Sequence, residues 1–454
     1  MTQQDRLTGC DGMDRDLLGN IIIKSMVVMI LSASLLELAD GFLTMKFGFT
    51  YISTATRLLY LLLPLFLIIY VPVDKGIAFL CFISVLFVLM FLRLLRPETR
   101  FDAVIFDFQY LARSLLLLVS IFLFGYVLNY DRLNVLFRRY FFIQWMVITV
   151  ALLMHIFLGI GGMTYSSGEL RVGYTSYFSS NNQTVFIYIT SWWVIASLLT
   201  RRLLVRIILT AATLAIMLAM GTRSGVVLVF MMTGLYVYKK IWDSSRLLFA
   251  TALLMTVGLG VFVFMNFNYV LGLIADVFIK FSSETSKLAS NVSAYGALTA
   301  LVSRRDILFY NAVQAISNYD LRELLIGPNF FNYKRIVGSY TDTKEIRMAE
   351  IDPLDLLGGW GIMGVLLAYL PVIWLFYRLL KRRLSTRGPK WEDRTFFAAA
   401  GGMLISLVES AMSGHIFLSP LSILTFGLIV AVSWHILRQA DSRPAEAAVE
   451  DDPK

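Results

Sequence analysis

Seven charged or titratable side chains lie beside long apolar runs of this sequence, where a charge is costly and marks a candidate functional residue. They are Arg171, Arg223, Arg304, Arg305, Glu350, Asp352 and His415. The fork of an arginine guanidinium matches two phosphate oxygens at once, and a carboxylate or an imidazole can accept the proton of a hydroxyl group. This combination predicts chemistry on a phosphate or pyrophosphate that is linked to a lipid.

The arginines also have structural interpretations. Arg223 lies in the turn GTRSG between two apolar runs, and its long side chain could simply reach the membrane interface. Against this, a cation at a helix start opposes the helix macrodipole, and positive charge is disfavoured on the outer side of the membrane. Arg304 and Arg305 begin a predicted helix, where they either form a solvated helix tip or bind an anion together with exposed backbone amides. Arg171 is either a loop charge or a further anion ligand.

The acidic residues and the histidine have two interpretations as well. Asp352 precedes Pro353, which favours a helix with Asp352 as its N-cap and Asp355 in its first turn. Glu350 lies outside that helix and is either a general base or a plain loop carboxylate. His415 is either a hydrogen-bonded turn residue or a catalytic group. No nucleotide-phosphate loop, zinc-type histidine cluster or GxSxG motif occurs in the sequence, and neither a metal nor a cofactor is predicted.

The composition indicates an integral membrane protein. Of the 454 residues 58% are hydrophobic, and the mean hydropathy is +0.71. The apolar residues form blocks of about 20, the length of helix that crosses the hydrocarbon core. The net charge of +9 is explained by positive residues on the cytoplasmic side, so nucleic acid is not predicted as a partner. No cleavable signal peptide is predicted, and Cys10 and Cys81 are too few for a disulfide framework.

Twelve membrane-spanning helices are predicted, which makes the fold class all-α. Their ranges are 20–38, 57–72, 76–95, 111–129, 140–160, 183–200, 203–220, 224–240, 246–268, 354–380, 394–412 and 419–437. An even number of spans places both termini on one side of the membrane. Loops rich in lysine and arginine, such as 378–394, indicate that this side is the cytoplasm.

One connection is long, and it is predicted to lie on the outer face between helices nine and ten. Within it, residues 303–317 carry apolar side chains at helical spacing after a capping-box pattern of Ser303 and Asp306. This pattern predicts an amphipathic helix near the outer membrane surface. The predicted organisation is helices one to nine in 1–269, the outer loop in 270–353, helices ten to twelve in 354–438 and a disordered cytoplasmic tail in 439–454.

Five short motifs, in order along the chain, resemble motifs of the bacterial O-antigen ligase and polymerase superfamily. They are RVGYTSYFSSNN (171–182), GTRSG (221–225), RDILF (305–309), LLIGPNFFNY (324–333) and GIMG (361–364). Each motif is weak by itself, and the specificity lies in their order and in the matching topology. The sequence departs from the pattern where the family's ligases usually carry a His-Asn pair, since Glu350 and Ile351 stand there.

The resemblance implies a glycosyltransferase of the bacterial inner membrane whose donor is an undecaprenyl-pyrophosphate-linked glycan. Arg223 and Arg305 would bind the pyrophosphate, with Arg304 and Arg171 as further ligands. Glu350, with Asp352 nearby, would accept the proton of the acceptor's sugar hydroxyl. A lipid-linked repeat unit as acceptor makes the enzyme a polymerase, whereas lipid A core makes it a ligase, and the missing His-Asn pair favours the polymerase. Membrane lipids, a flippase and a chain-length regulator are the other partners that the resemblance implies.

A transporter or flippase is the alternative from another class. Such proteins bind their substrates near the bilayer midplane, often between internal repeats, but no repeat is visible here and the unusual charges gather at one face. Glu409, near the end of predicted helix eleven, keeps this alternative open, while Lys24 and Glu37 fall towards the two ends of helix one. A purely structural membrane subunit would not need a long outer loop with paired arginines.

Overall fold

The protein is predominantly helical in its computed structural model, as the sequence predicts. The described residues are 23–48, 130–163, 174–198, 203–244, 305–339, 348–385 and 392–441, apart from positions 26, 179, 413 and 415, together with scattered positions in 104–125 and a few elsewhere. The helices are α1 (Ala33–Phe47), α2 (Tyr130–Leu158), α3 (Asn181–Leu198), α4 (Leu203–Ala219), α5 (Arg223–Ser244), α6 (Arg305–Ser317), α7 (Leu321–Ile326), α8 (Phe330–Ser339), α9 (Asp352–Ser385), α10 (Glu392–Met412) and α11 (Pro420–Asp441).

Among the described residues, four helices are long and apolar enough to cross a membrane. Their spans are Asp131–Leu158, Asp352–Arg382, Arg394–Met412 and Leu421–Arg438. A fifth candidate is the pair Ile23–Leu31 and Ala33–Phe47, which is bent by 59° at a short break. Helix α4 and the apolar part of α5 are shorter. The total of twelve membrane-spanning helices therefore stays a prediction.

Most of the predicted spans that fall on described residues coincide with a helix. The predicted ranges 183–200 and 203–220 correspond to α3 and α4, and 394–412 corresponds to α10. Three predicted spans, 57–72, 76–95 and 246–268, lie outside the described residues except at isolated positions, as does most of 111–129. The predicted helix at 303–317 is observed as α6, and its position near the outer membrane surface stays a prediction. Of its predicted capping box, Ser303 lies outside the described residues and only the backbone of Asp306 is described.

A small antiparallel strand pair is a feature that the all-α prediction missed. Strand β1 (Gly162–Met163) pairs with β2 (Tyr174–Ser176) after the end of α2. The backbone amide of Ser176 donates a hydrogen bond to Nδ1 of the buried His155 over 3.0 Å. Such short strands carry no period-two pattern that a sequence reading could detect.

Helix α3 lies at the centre of the described bundle. Fourteen of its 18 residues are buried, as expected for a helix that is apolar on all sides. It packs closely against α2 and α10, where the indole Nε1 of Trp193 donates a hydrogen bond to the carbonyl oxygen of Phe397 over 3.3 Å. Because neighbouring helices cover α3, it does not present the polar, solvent-exposed face expected of a surface helix.

Helix α9 contains a break, and it packs against the short helices α6, α7 and α8. Gly361 has a φ of 67° and a ψ of −167°, which separates residues 352–360 from the rest of the 34-residue helix. A Cβ atom at Gly361 would lie 2.5 Å from the carbonyl carbon of Leu325 in α7, so only glycine allows this approach. The packing of α7 and α8 against 352–360 builds the part of the molecule that carries the candidate site.

Candidate active site

The start of α9 is organised around the buried carboxylate of Asp355. Its Oδ1 accepts hydrogen bonds from the backbone amide of Ala349 (2.8 Å) and from the hydroxyl of Tyr333 (3.0 Å), and its Oδ2 accepts one from the amide of Ile351 (3.3 Å). A carboxylate in the first turn can reach back to amides just before the helix, as in a capping box, and it interacts favourably with the macrodipole. Asp355 thus fixes the backbone on both sides of Glu350.

Glu350 adopts a backbone conformation that is unfavourable for its residue type. Its φ is 58°, in the left-handed region that L-residues other than asparagine and aspartate rarely occupy. Gly414, with a φ of 64°, packs directly on it, since a Cβ atom at Gly414 would lie 2.5 Å from the carbonyl carbon of Glu350. The Glu350 side chain is partly exposed. Strained residues that surrounding structure holds in place are typical of functional sites.

Asp352 connects α9 to the turn between α10 and α11. Its carboxylate is fully buried, and Oδ2 accepts hydrogen bonds from the backbone amides of Ile416 (2.7 Å) and Phe417 (3.0 Å). Helix α9 begins at Asp352 itself, one residue before the predicted first helical residue Pro353. The burial and the two amide donors favour a structural role for Asp352, and they leave Glu350 as the better candidate for a base that meets substrate.

The hydroxyl of Tyr333 is part of the same network. Burial, and next the charge of Asp355, raise the pKa of Tyr333 well above its ordinary value, so the hydroxyl keeps its proton and remains a donor. Tyr333 also belongs to a small apolar cluster that joins α8 to α6 and to the segment before α9. The buried members of this cluster are Ala312, Ala315, Tyr333, Val337 and Ala349.

Two of the four predicted pyrophosphate-binding arginines, Arg223 and Arg305, begin helices that pack near this network. Arg305 is the first residue of α6, whose Ala312 shares the cluster with Ala349; seven residues of helix correspond to about 10 Å. Arg223 is the first residue of α5, as predicted. The adjacent Ser224 donates a hydrogen bond to Oε1 of the buried Glu409 over 3.4 Å. The structure describes the backbones of these arginines and not their side chains.

Glu409 belongs to this end of the bundle rather than to its middle. It lies three residues before the end of α10, and its carbonyl oxygen accepts a hydrogen bond from the amide of Gly414 over 3.1 Å. Gly414 in turn packs against the backbone of Glu350. The charge that kept the transporter alternative open therefore lies beside the candidate site.

Three predicted site residues, Arg171, Arg304 and His415, lie outside the described residues. Two other cations, Arg113 and Lys334, were missed by the sequence reasoning and lie close to the network. The side chain of Arg113 donates a hydrogen bond from Nη1 to the carbonyl oxygen of Leu418, in the same turn that Asp352 binds. The sequence does carry a signal for Arg113, because this charged residue stands at the opening of an apolar run, as Arg223 does.

The arrangement can support proton transfer next to an anion. Glu350 supplies a carboxylate held in one backbone conformation, and the cations Arg113 and Lys334 lie on neighbouring elements. Within the described part of the chain, no group of three or more histidine, cysteine, aspartate or glutamate side chains could hold a metal ion. General base catalysis needs one such carboxylate within hydrogen-bonding reach of the reacting hydroxyl.

No protein-family model matches the chain, and no curated protein matches its sequence significantly. The resemblance to the O-antigen ligase and polymerase superfamily therefore depends on the five motifs, their order and the predicted topology.

Proposed function

We propose that this chain is a membrane glycosyltransferase that polymerises repeat units of O-antigen, capsule or exopolysaccharide. Its donor is a glycan linked to undecaprenyl pyrophosphate, and its acceptor is the sugar hydroxyl of another lipid-linked repeat unit. The observation that carries the proposal is the strained Glu350, held between Asp355 and Gly414 at the end of the bundle where the helices headed by Arg223 and Arg305 pack.

In the proposed reaction, the Glu350 carboxylate accepts the proton of the acceptor hydroxyl. The hydroxyl oxygen forms a bond to the anomeric carbon of the donor as the bond from that carbon to the pyrophosphate oxygen breaks. Undecaprenyl pyrophosphate leaves with the bonding electron pair, and the arginine guanidinium groups stabilise the charge that develops on it. Removal of a general base typically lowers the rate by about 10²–10⁴-fold.

The proposal includes a topology. Twelve helices cross the bacterial inner membrane, both termini are cytoplasmic, and the segment 270–353 faces outwards, where lipid-linked donors are presented. Four described helices with the length and composition of membrane spans support this arrangement. The burial of Asp352 and Asp355 at the start of α9 supports a site at one end of the bundle. Membrane lipids, a flippase and a chain-length regulator are the proposed partners.

The test is deletion of the gene, complementation with variants, and a gel of surface polysaccharide. Loss of the ladder with one repeat unit retained identifies a polymerase. Lipid-linked polymer that accumulates without being capped identifies a ligase instead, and an unchanged ladder excludes both.

The variants Arg223→Ala, Arg305→Ala and Glu350→Gln should fail to restore the ladder although the protein inserts normally. Arg223→Lys should also fail, because a two-pronged donor becomes a point charge. Arg139→Ala, an exposed arginine near the start of α2, is the matched control and should restore the ladder. A full ladder from both arginine variants would overturn the proposed pyrophosphate binding.

A further inference from the structure

An aromatic stack joins the start of predicted span four to helix α8. The rings of Tyr110 and Phe330 lie 4.3 Å apart with an angle of 15° between their planes. The carboxylate of Asp107 accepts a hydrogen bond from the amide of Phe330 over 2.9 Å, which satisfies an amide at the start of α8. These two contacts fix the helical residues 107–110 against the first turn of α8.

The stack brings two cations together. Arg113 lies three residues after Tyr110, and Lys334 lies four residues after Phe330, so each is one helical turn beyond a stacked ring. The guanidinium carbon of Arg113 lies 4.7 Å from the centre of the Tyr110 ring. Burial, and next the charge of Arg113, lower the pKa of Lys334. Both side chains are partly exposed, and their two positive charges repel each other.

Each of these two cations adjoins the candidate active site. The residue before Lys334 is Tyr333, which donates to the carboxylate of Asp355. Arg113 donates to the carbonyl oxygen of Leu418 over 3.3 Å, in the turn whose amides bind Asp352. Both aspartates already accept hydrogen bonds from two or three donors, so their charge is partly satisfied inside the network.

We propose that Arg113 and Lys334 together bind a phosphate group of the substrate, the pyrophosphate of the lipid-linked donor. This inference rests on the proposed function for the identity of the ligand. An anion between the two cations would relieve the repulsion between like charges, and arginine and lysine both bind phosphate oxygens, as a fork and as a point charge. The pyrophosphate leaves from the carbon that the acceptor attacks, so a site beside the start of α9 is where its charge must be neutralised.

The test measures inorganic pyrophosphate binding to the full-length protein in detergent by titration calorimetry. Arg113→Met and Lys334→Met remove one charge each and keep an apolar side chain of similar length. Each should weaken binding about tenfold or more, the loss expected for a hydrogen bond to a charged group. Arg139→Met and Lys240→Met, exposed cations elsewhere on α2 and α5, are the matched controls and should bind pyrophosphate as the unmodified protein does.

Equal affinities in the two site variants and the unmodified protein would show that Arg113 and Lys334 serve only as counter-ions, and would overturn the proposal. Absence of pyrophosphate binding to the unmodified protein would overturn it as well. If Arg113→Met does not fold, the neutral and more polar variant Arg113→Gln is used, and an affinity equal to that of the unmodified protein would contradict the inference. Weakened binding in the site variants together with an unchanged polysaccharide ladder after deletion would support this anion site and overturn the proposed polymerase.

Discussion

Glycine at position 350 should give a more stable protein than alanine at the same position, although both variants lose activity. Glu350 has a φ of 58°, a conformation that costs an L-residue roughly 1–2 kcal/mol. Glycine adopts this conformation freely, but it loses about 0.5–1 kcal/mol through the greater freedom of the unfolded chain. The free energy of unfolding of Glu350→Gly should therefore exceed that of Glu350→Ala by about 0.5–1 kcal/mol. Because both variants lack the carboxylate and its contacts, the difference isolates the backbone.

The measurement is thermal unfolding of the two purified variants in the same detergent, followed by tryptophan fluorescence. For a chain of this size, a difference of this magnitude moves the midpoint by about 0.5–1 °C. The neighbouring position supplies a matched control, since Ile351 is not among the described residues with a positive φ. There the order should reverse, and Ile351→Gly should be less stable than Ile351→Ala by about 0.5–1 kcal/mol.

The same order at both positions, with alanine more stable than glycine, would refute the argument that strain is stored at Glu350. Activity provides the second readout. Glu350→Gln keeps the shape of the side chain and should unfold near the midpoint of the unmodified protein, while turnover falls by about 10²-fold or more. Turnover that stays within a few-fold of normal would remove Glu350 from the proposed chemistry without affecting the backbone prediction.

Substitutions at three further positions test the surrounding network by unfolding and turnover. Asp352→Ala removes the acceptor of two buried backbone amides and should lower the free energy of unfolding by about 2–5 kcal/mol. Asp352→Asn keeps an acceptor oxygen and should lower it by less than half of that. Equal losses in the two variants would contradict the hydrogen bonds. Gly414→Ala places a Cβ atom 2.5 Å from the carbonyl carbon of Glu350, and Gly414 itself has a φ of 64°. The free energy of unfolding should therefore fall by about 1–3 kcal/mol, and turnover should fall with it. An active, stable variant would exclude this contact. Tyr333→Phe removes one donor to a buried carboxylate of α9 and should cost about 1–2 kcal/mol, and an unchanged midpoint would assign that hydrogen bond no net contribution.

The sequence predicts the helices well because length and apolar content decide them. The predicted span 419–437 is observed as Pro420–Asp441, and the predicted span 354–380 lies within Asp352–Ser385. The break in α9 could not be predicted in the same way. It depends on α7, and Gly361 gives no sign in the sequence that the backbone of Leu325 lies against it.

The candidate site could be predicted only where one residue carries the signal. Arg223 stands out because a charge is unexpected between two apolar runs. Glu350 stands out because it lies outside the helix that follows and occupies the position where the resembled family's ligases usually carry a histidine. Asp355 was predicted as a first-turn acid, and its contact with Tyr333 depends on the packing of α8 against α9. The proximity of Arg113 and Lys334, more than 200 positions apart in the printed sequence, depends on a ring stack that no local pattern predicts.

The two buried aspartates of α9 explain how the conformation of Glu350 persists. Asp355 binds the amides of the residues immediately before and after Glu350, and Asp352 binds the turn that follows Gly414, which lies against the Glu350 carbonyl. If either aspartate is lost, the backbone at Glu350 can relax to a negative φ, and the second loss then removes little more. The effects of Asp352→Ala and Asp355→Ala on turnover should therefore be less than additive, as for residues in one network. Additive effects would mean that each aspartate acts on its own, and that Glu350 is held by something other than their combined hydrogen bonds.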